Sequence, residues 1–359
     1  MVSPMNKDMN KMEVTFPSSD PSCQLCGDLT LPSSLFNNDD ELLPAIVMVA
    51  GSGPIDRNGN APNLHMNFNT SNRFAEHMIS SSRPSDRAIA ILSYDKRGVG
   101  KSQPVEHDKN YYYRAGMLDF VADAVEAVRF VSRHPRIDKT RIILLGHSEG
   151  AIIMPLICRE VTNNGLDPII GCIFYCGFGE NLVDAMALQR ETLTKEVQEM
   201  AGPTGWLLRK LITKEKLEKQ YKDFLTKVNA PDEPDFISFQ CGLSKQPAKW
   251  LREHIAYDVN DSLAKFISCH CLAITGQKDF QVRSEFCDPE KAAALVPNAK
   301  SMEVHRPANL THALRSMEGE AKMMNLKKDY AKMGKLPLDA ELMSITDAWC
   351  DRILFDSKQ

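Results

Sequence analysis

Three side chains, far apart along the chain, have the types and the order that nucleophilic catalysis needs: Ser148, Asp279 and His312. A serine hydroxyl attacks poorly at neutral pH. It needs a base within hydrogen-bonding distance, and that base needs an acid to fix its tautomer. Ser148 stands in Gly146-His147-Ser148-Glu149-Gly150, a Gly-x-Ser-x-Gly sequence. A serine projected from a sharp turn requires small neighbours, which Gly146 and Gly150 supply. The helix that follows aims backbone N–H groups at any negative charge developing nearby. Asp279 follows one short apolar run and His312 follows the next, so both are expected at the same edge of a sheet as Ser148.

The elements that must carry these residues are readable from apolar spacing. Ile142-Ile143-Leu144-Leu145 is too short for a helix and reads as a buried strand, and Ala151 to Cys158 reads as the buried helix after the serine. Pro44–Ala50, Ala88–Tyr94, Ile169–Cys176, Cys271–Thr275 and Ser301–His305 are further strands. Lys11–Phe16 and Leu29–Leu31 are expected to form an N-terminal hairpin. Helical spacing is expected over Asn69–Ser80, over Tyr111–His134 as one long helix, and over Asp339–Leu354 at the end. Strands alternating with helices at this rhythm argue for an α/β fold with a mainly parallel sheet between helices. Ligands on such sheets bind beyond the carboxyl ends of the strands, where the glycine-rich segment Gly51-Ser52-Gly53 also falls.

Composition narrows the functional classes. The chain has 359 residues, 25% of them charged, and a net charge of −4, which points neither to nucleic acid nor to an anionic membrane. The start is polar and lacks the apolar core of a signal peptide, and no apolar run approaches a membrane span. Ten cysteines in a chain this long are no dense disulfide scaffold, and several sit in apolar segments. The location expected on these grounds is cytoplasmic. Cys23-x-x-Cys26 could be half of a zinc site, but no second pair follows at zinc-ribbon spacing, so incidental thiols and no metal are expected. Gly100-Lys101-Ser102 matches the end of a phosphate-binding loop. Asp95 stands where that pattern requires its first glycine, and no apolar helix follows, so the reading is rejected.

Taken together, Ala50–Arg57, Tyr94–Ser102, Gly146–Gly150, Gly276-Gln277-Lys278-Asp279 and Asn309-Leu310-Thr311-His312 resemble the α/β-hydrolase superfamily. The likeness runs from about Val14 to the C-terminus and is nearest to serine hydrolases of the esterase and serine-aminopeptidase-like type. It implies an α/β-hydrolase fold with an inserted helical lid. It also implies Ser148 as nucleophile, His312 as general base and then acid, and Asp279 as the orienting carboxylate. The oxyanion would be held by the backbone N–H groups of Glu149 and Ser52. Many members carry His-Gly where this chain has Ala50-Gly51. Gly51, Gly53 and His147 are expected at the substrate pocket, with His147 pointing under the turn. His305 is the weaker candidate base and Asp258 the weaker acid. Asp56 and Arg57 are expected to brace the loop as a pair.

The expected domains are a first hydrolase part over 1–179, a helical lid over 180–266 free of strands, and a second hydrolase part over 267–359. The lid is expected to set selectivity. The activity implied is cleavage of a small carboxylic ester through an acyl-enzyme, without a cofactor and with a small-molecule acyl substrate as the partner. An amine or thiol leaving group, giving a peptidase, amidase or thioesterase, stays open, as does a non-catalytic binding module. Oligomeric state is not legible.

Overall fold

The computed structural model describes residues 9–32, 42–62, 66–80, 84–106, 108–230, 235–239 and 244–356. Eight strands form one sheet: β1 (Met9–Pro17), β2 (Gln24–Pro32), β3 (Leu43–Val49), β4 (Ala90–Tyr94), β5 (Ile137–His147), β6 (Gly171–Tyr175), β7 (His270–Ile274) and β8 (Ser301–His305). Their spatial order is β1-β2-β4-β3-β5-β6-β7-β8. β1 and β2 pair antiparallel, as do β2 and β4; every other pairing is parallel.

The apolar run of β5 divides between two cores with the period of a strand. Ile142 and Leu144 join one cluster, Ile143 and Leu145 the other, as alternating side chains on a sheet buried on both faces must. Ile143 and Leu144 are fully buried, and each such side chain contributes roughly 2 kcal/mol of burial free energy. On the first face lie α2 (Met117–Ser132) and α3 (Glu149–Asn163). On the second lie α1 (Thr70–Met78) and the closing helix α11 (Ala340–Asp351), through Phe74, Met78, Leu342 and Trp349.

Between β6 and β7 the chain leaves the sheet. It forms α4 (Leu182–Glu199), α5 (Gly202–Leu211), α6 (Lys214–Val228), α7 (Ala248–Ala256) and α8 (Val259–Phe266). This segment also holds a two-stranded ribbon, Phe236–Phe239 against Ser244–Pro247, where no strand is expected from sequence. Pro231 and Pro234, at which breaks in this segment are expected from sequence, lie outside the described residues. Later come α9 (Pro289–Leu295) and α10 (Leu326–Met333).

The expected helix over Tyr111–His134 is two pieces, a single turn at Tyr111–Arg114 and then α2. The break is made at Gly116, whose N–H donates to the Asp119 carboxylate at 2.7 Å, half of a capping box. Among the described residues no helix is long and apolar enough to cross a membrane.

Candidate active site

Strand register brings the chemistry to one edge. Val49 at the end of β3 pairs with Gly146, His147 pairs with Tyr175 at the end of β6, and Ile274 at the end of β7 pairs with both Tyr175 and His305. Each of these strands then empties into a loop on the same side of the sheet.

Ser148 sits between β5 and α3 with φ 54° and ψ −118°, a conformation costly for a residue with a Cβ. It holds because the turn is pinned from both sides. The Ser148 N–H donates to the Tyr175 carbonyl at 2.8 Å, and the Ser148 carbonyl accepts from Ala151 at 2.9 Å. Its hydroxyl lies 3.0 Å from Nε2 of His312, and Nδ1 of His312 lies 2.8 Å from Oδ2 of Asp279. A carboxylate only accepts, so Nδ1 carries the ring proton and Nε2 accepts from the serine. The Asp279 side chain is fully buried, and its second oxygen accepts from the N–H groups of Gln281 and Val282 at 2.8 and 3.1 Å. Its direction is therefore fixed.

His147 donates from Nε2 to the His312 carbonyl at 2.8 Å, and the two rings stand 5.1 Å apart. Burial first, and the charge of His312 second, hold the His147 imidazole down at about 3, so it serves as a neutral donor that steadies the His312 loop. His147 and Cys176 also come within 4.8 Å of His312 in their potential ligand atoms. Both nitrogens of His312 and Nε2 of His147 are already bonded, and burial, followed by Asp279, pushes the Cys176 thiol well above its usual range. That group is poorly suited to a metal.

Beside Ser148 opens a cavity of about 140 Å³. Its walls are mainly apolar, with Met66, Phe68, Phe74, Leu145, Tyr330 and Leu338 prominent, and Gly51, Ser52 and His147 also line it. Gly53 does not, and neither does any described residue between 180 and 266. The wall comes instead from the ends of the central strands, from the segment after β3, from α1, from the His312 loop and from α10, with Leu338 just before α11. Selectivity expected of the helical insertion therefore has, among the described residues, no lining residue there to act through.

The backbone N–H groups of Ser52 and Glu149 donate to no described residue. The Glu149 side chain turns away from the cavity into a buried cluster. It accepts from Lys96 Nζ at 2.9 Å, from His254 Nε2 at 3.2 Å and from the indole N–H of Trp250. Burial alone would raise the Glu149 carboxyl, but Lys96, then His254 and Trp250, bring it down to about 2.

Asp56 and Arg57 do not pair with each other. Asp56 accepts from the N–H groups of Asn58 and Asn60, both at 2.9 Å, while Arg57 bridges Asp95, Asp28 and Glu13. Both brace the loop, by separate routes. Ser102, in the phosphate-loop look-alike, donates to the Asp95 carbonyl and accepts from the Cys26 N–H. Cys23 and Cys26 are buried, Cys26 taking a 3.0 Å hydrogen bond from Arg57. His305 bonds to Glu303, and Asp258 caps α8.

Sequence reasoning missed Lys96, Trp250, His254 and Arg315. Arg315 is fully buried, and its guanidinium donates to the carbonyls of Phe68, Ala313 and Leu336. It thus ties the cavity wall to the His312 loop. Burial lowers it to about 10, with Arg73 adding to the effect. Only Lys96 carried a signal, lying in an apolar strand's exit next to Asp95.

No protein-family model and no curated protein sequence matches the chain. Solved structures do. The esterase Est22 with p-nitrophenol is 12% identical with a TM-score of 0.51, the match covering 96% of this chain and 81% of that one. An esterase from Pyrococcus furiosus is 13% identical at 0.51, covering 96% and 91%. A fungal esterase from Rhizomucor miehei is 15% identical at 0.50, covering 98% and 84%. At such identities the likeness is one of architecture, and with its 1-2-4-3-5-6-7-8 sheet this chain has the fold of the α/β-hydrolase superfamily.

Proposed function

We propose that the protein is a serine hydrolase that cleaves small carboxylic esters through an acyl-enzyme. The observation that carries this reading is the unbroken run of hydrogen bonds from Ser148 Oγ through His312 to Asp279, at 3.0 and 2.8 Å. In the proposed reaction His312 takes the Ser148 proton as the oxygen attacks the ester carbonyl. The oxyanion is received by the N–H groups of Ser52 and Glu149, each such donor contributing ~3–4 kcal/mol to the transition state. Collapse expels the alcohol, which leaves with the proton from His312. Water then attacks the acyl group by the same route and releases the acid and free Ser148.

An ester is favoured over a peptide read from its free amine. Such a peptidase needs a carboxylate to hold the ammonium, and the only acid lining the cavity among the described residues is Asp56, one of whose oxygens already accepts from two backbone N–H groups. The apolar walls suit a short acyl or alkyl group. The segment 180–266 is proposed as a cap over the sheet edge.

A panel of p-nitrophenyl esters, acyl-CoA thioesters and aminoacyl anilides tests the assignment. Turnover fastest on short esters agrees with it, and anilides or thioesters outrunning every ester would replace it.

A further inference from the structure

Lys96 is almost fully buried just past the end of β4, with its ammonium 4.5 Å from the centre of the Phe120 ring. A buried ammonium is retained only where its donors are used. Here one donor goes to the Gly51 carbonyl at 2.6 Å and another to the Glu149 carboxylate at 2.9 Å.

Those two partners are not arbitrary. The Gly51 carbonyl belongs to the same peptide group as the Ser52 N–H, and a trans peptide points its C=O and N–H in opposite directions. An ammonium on that oxygen therefore turns the Ser52 N–H away from Lys96. Gly51 is also where this peptide could most easily rotate, since glycine admits backbone angles closed to other residues. It lies directly against the nucleophile turn: a Cβ there would come within 3.2 Å of Ser148 Cβ. The second partner, Glu149, carries the other N–H proposed for the oxyanion, and the other oxygen of its carboxylate is held by Trp250 and His254 of α7. One cation thus bonds to the peptide group that carries the Ser52 N–H and to the side chain of Glu149, whose own N–H is the second donor proposed for the oxyanion.

We propose that Lys96 is a positioning residue that sets the Ser52 peptide for oxyanion binding and locks it to the Glu149 end of the site. The proposal rests on the hydrolase reading above. Without the ammonium the Gly51–Ser52 peptide is free to rotate, its N–H leaves the site, and the tetrahedral adduct loses a donor while ground-state binding is untouched.

The test compares wild type, Lys96→Met and the charge-free pair Lys96→Met/Glu149→Gln for binding of a short-chain alkyl trifluoromethyl ketone, which forms a tetrahedral adduct with a serine. The matching trifluoromethyl carbinol, which cannot form one, is the control. Thermal unfolding of each variant is followed in parallel. In both variants ketone affinity is expected to fall about 30-fold or more, on the scale of a compromised oxyanion donor. Carbinol affinity should stay within about twofold, and kcat should fall with little change in KM. The double variant, which leaves neither charge unpaired, should recover thermal stability without recovering ketone affinity. Ketone affinity that is unchanged in Lys96→Met, or that returns with stability in the double variant, overturns the role of Lys96 alone. Wild-type protein that forms no ketone adduct contradicts the hydrolase reading itself, and the proposal falls with it.

Discussion

The carbonyl oxygen of Val49, at the end of β3, lies 2.1 Å from where a Cβ on Gly150 would stand. The first turn of α3 is thus packed onto the neighbouring strand with no room for a side chain, and the obstacle is backbone on both sides. Gly150→Ala must push α3 away from β3, and Ser148 lies two residues upstream. A loss of at least about 2 kcal/mol in stability by chemical denaturation is expected, on the scale of overpacking a fixed backbone, together with a marked fall in ester turnover. A variant as stable and as active as wild type would mean that the contact is not rigid.

Glu149 gives the stability a pH signature. Its folded-state value of about 2 lies below the ordinary 4.5, so its contribution is fully present above about pH 4.5 and is lost as pH falls toward 2. Denaturation of wild type and Glu149→Gln, measured between pH 7 and pH 3, should show a stability gap that is flat at higher pH. The gap should narrow with acid, over a full span on the order of 3 kcal/mol. A gap independent of pH would mean that the carboxylate is not held as described.

Much of this arrangement can be read from the chain, and what cannot has physical causes. Four consecutive apolar residues before Gly146 announce a doubly buried strand, and the glycines around Ser148 announce the turn. Asp279 and His312 are legible because each follows a strand whose end must meet the same edge. The break at Gly116 had a signal, Asp119 three residues on, but the apolar period running through both pieces masks it. The ribbon over Phe236–Phe239 and Ser244–Pro247 is too short to show alternation. The roles of Lys96, Trp250 and His254 are not legible, Lys96 despite its place at a strand's exit, because a buried polar group is defined by its partners, and theirs lie 53, 101 and 105 positions from them at Glu149. Length and helical character point to the insertion as the element that sets selectivity, while the described lining comes from strand ends, loops and helices outside it that meet only in the folded chain.

That last difference makes selectivity testable. Leu338 closes part of the cavity and is buried, whereas Trp206, on α5 of the insertion, is 55% exposed and lines none of it. Leu338→Ala should raise kcat/KM for p-nitrophenyl hexanoate relative to the acetate by about tenfold, the scale of a methylene or more of apolar contact. Trp206→Ala should leave that ratio within about twofold. The reverse result would return chain-length control to the insertion.

The most direct test of the account is reaction of the folded protein with a fluorophosphonate, the modified residue being located by mass spectrometry. The account predicts a single adduct on Ser148, absent from Ser148→Ala and formed about a thousandfold more slowly in His312→Ala, on the scale of losing a triad base. A folded protein that stays unlabelled, or one whose labelling slows less than about tenfold without the imidazole, would contradict it.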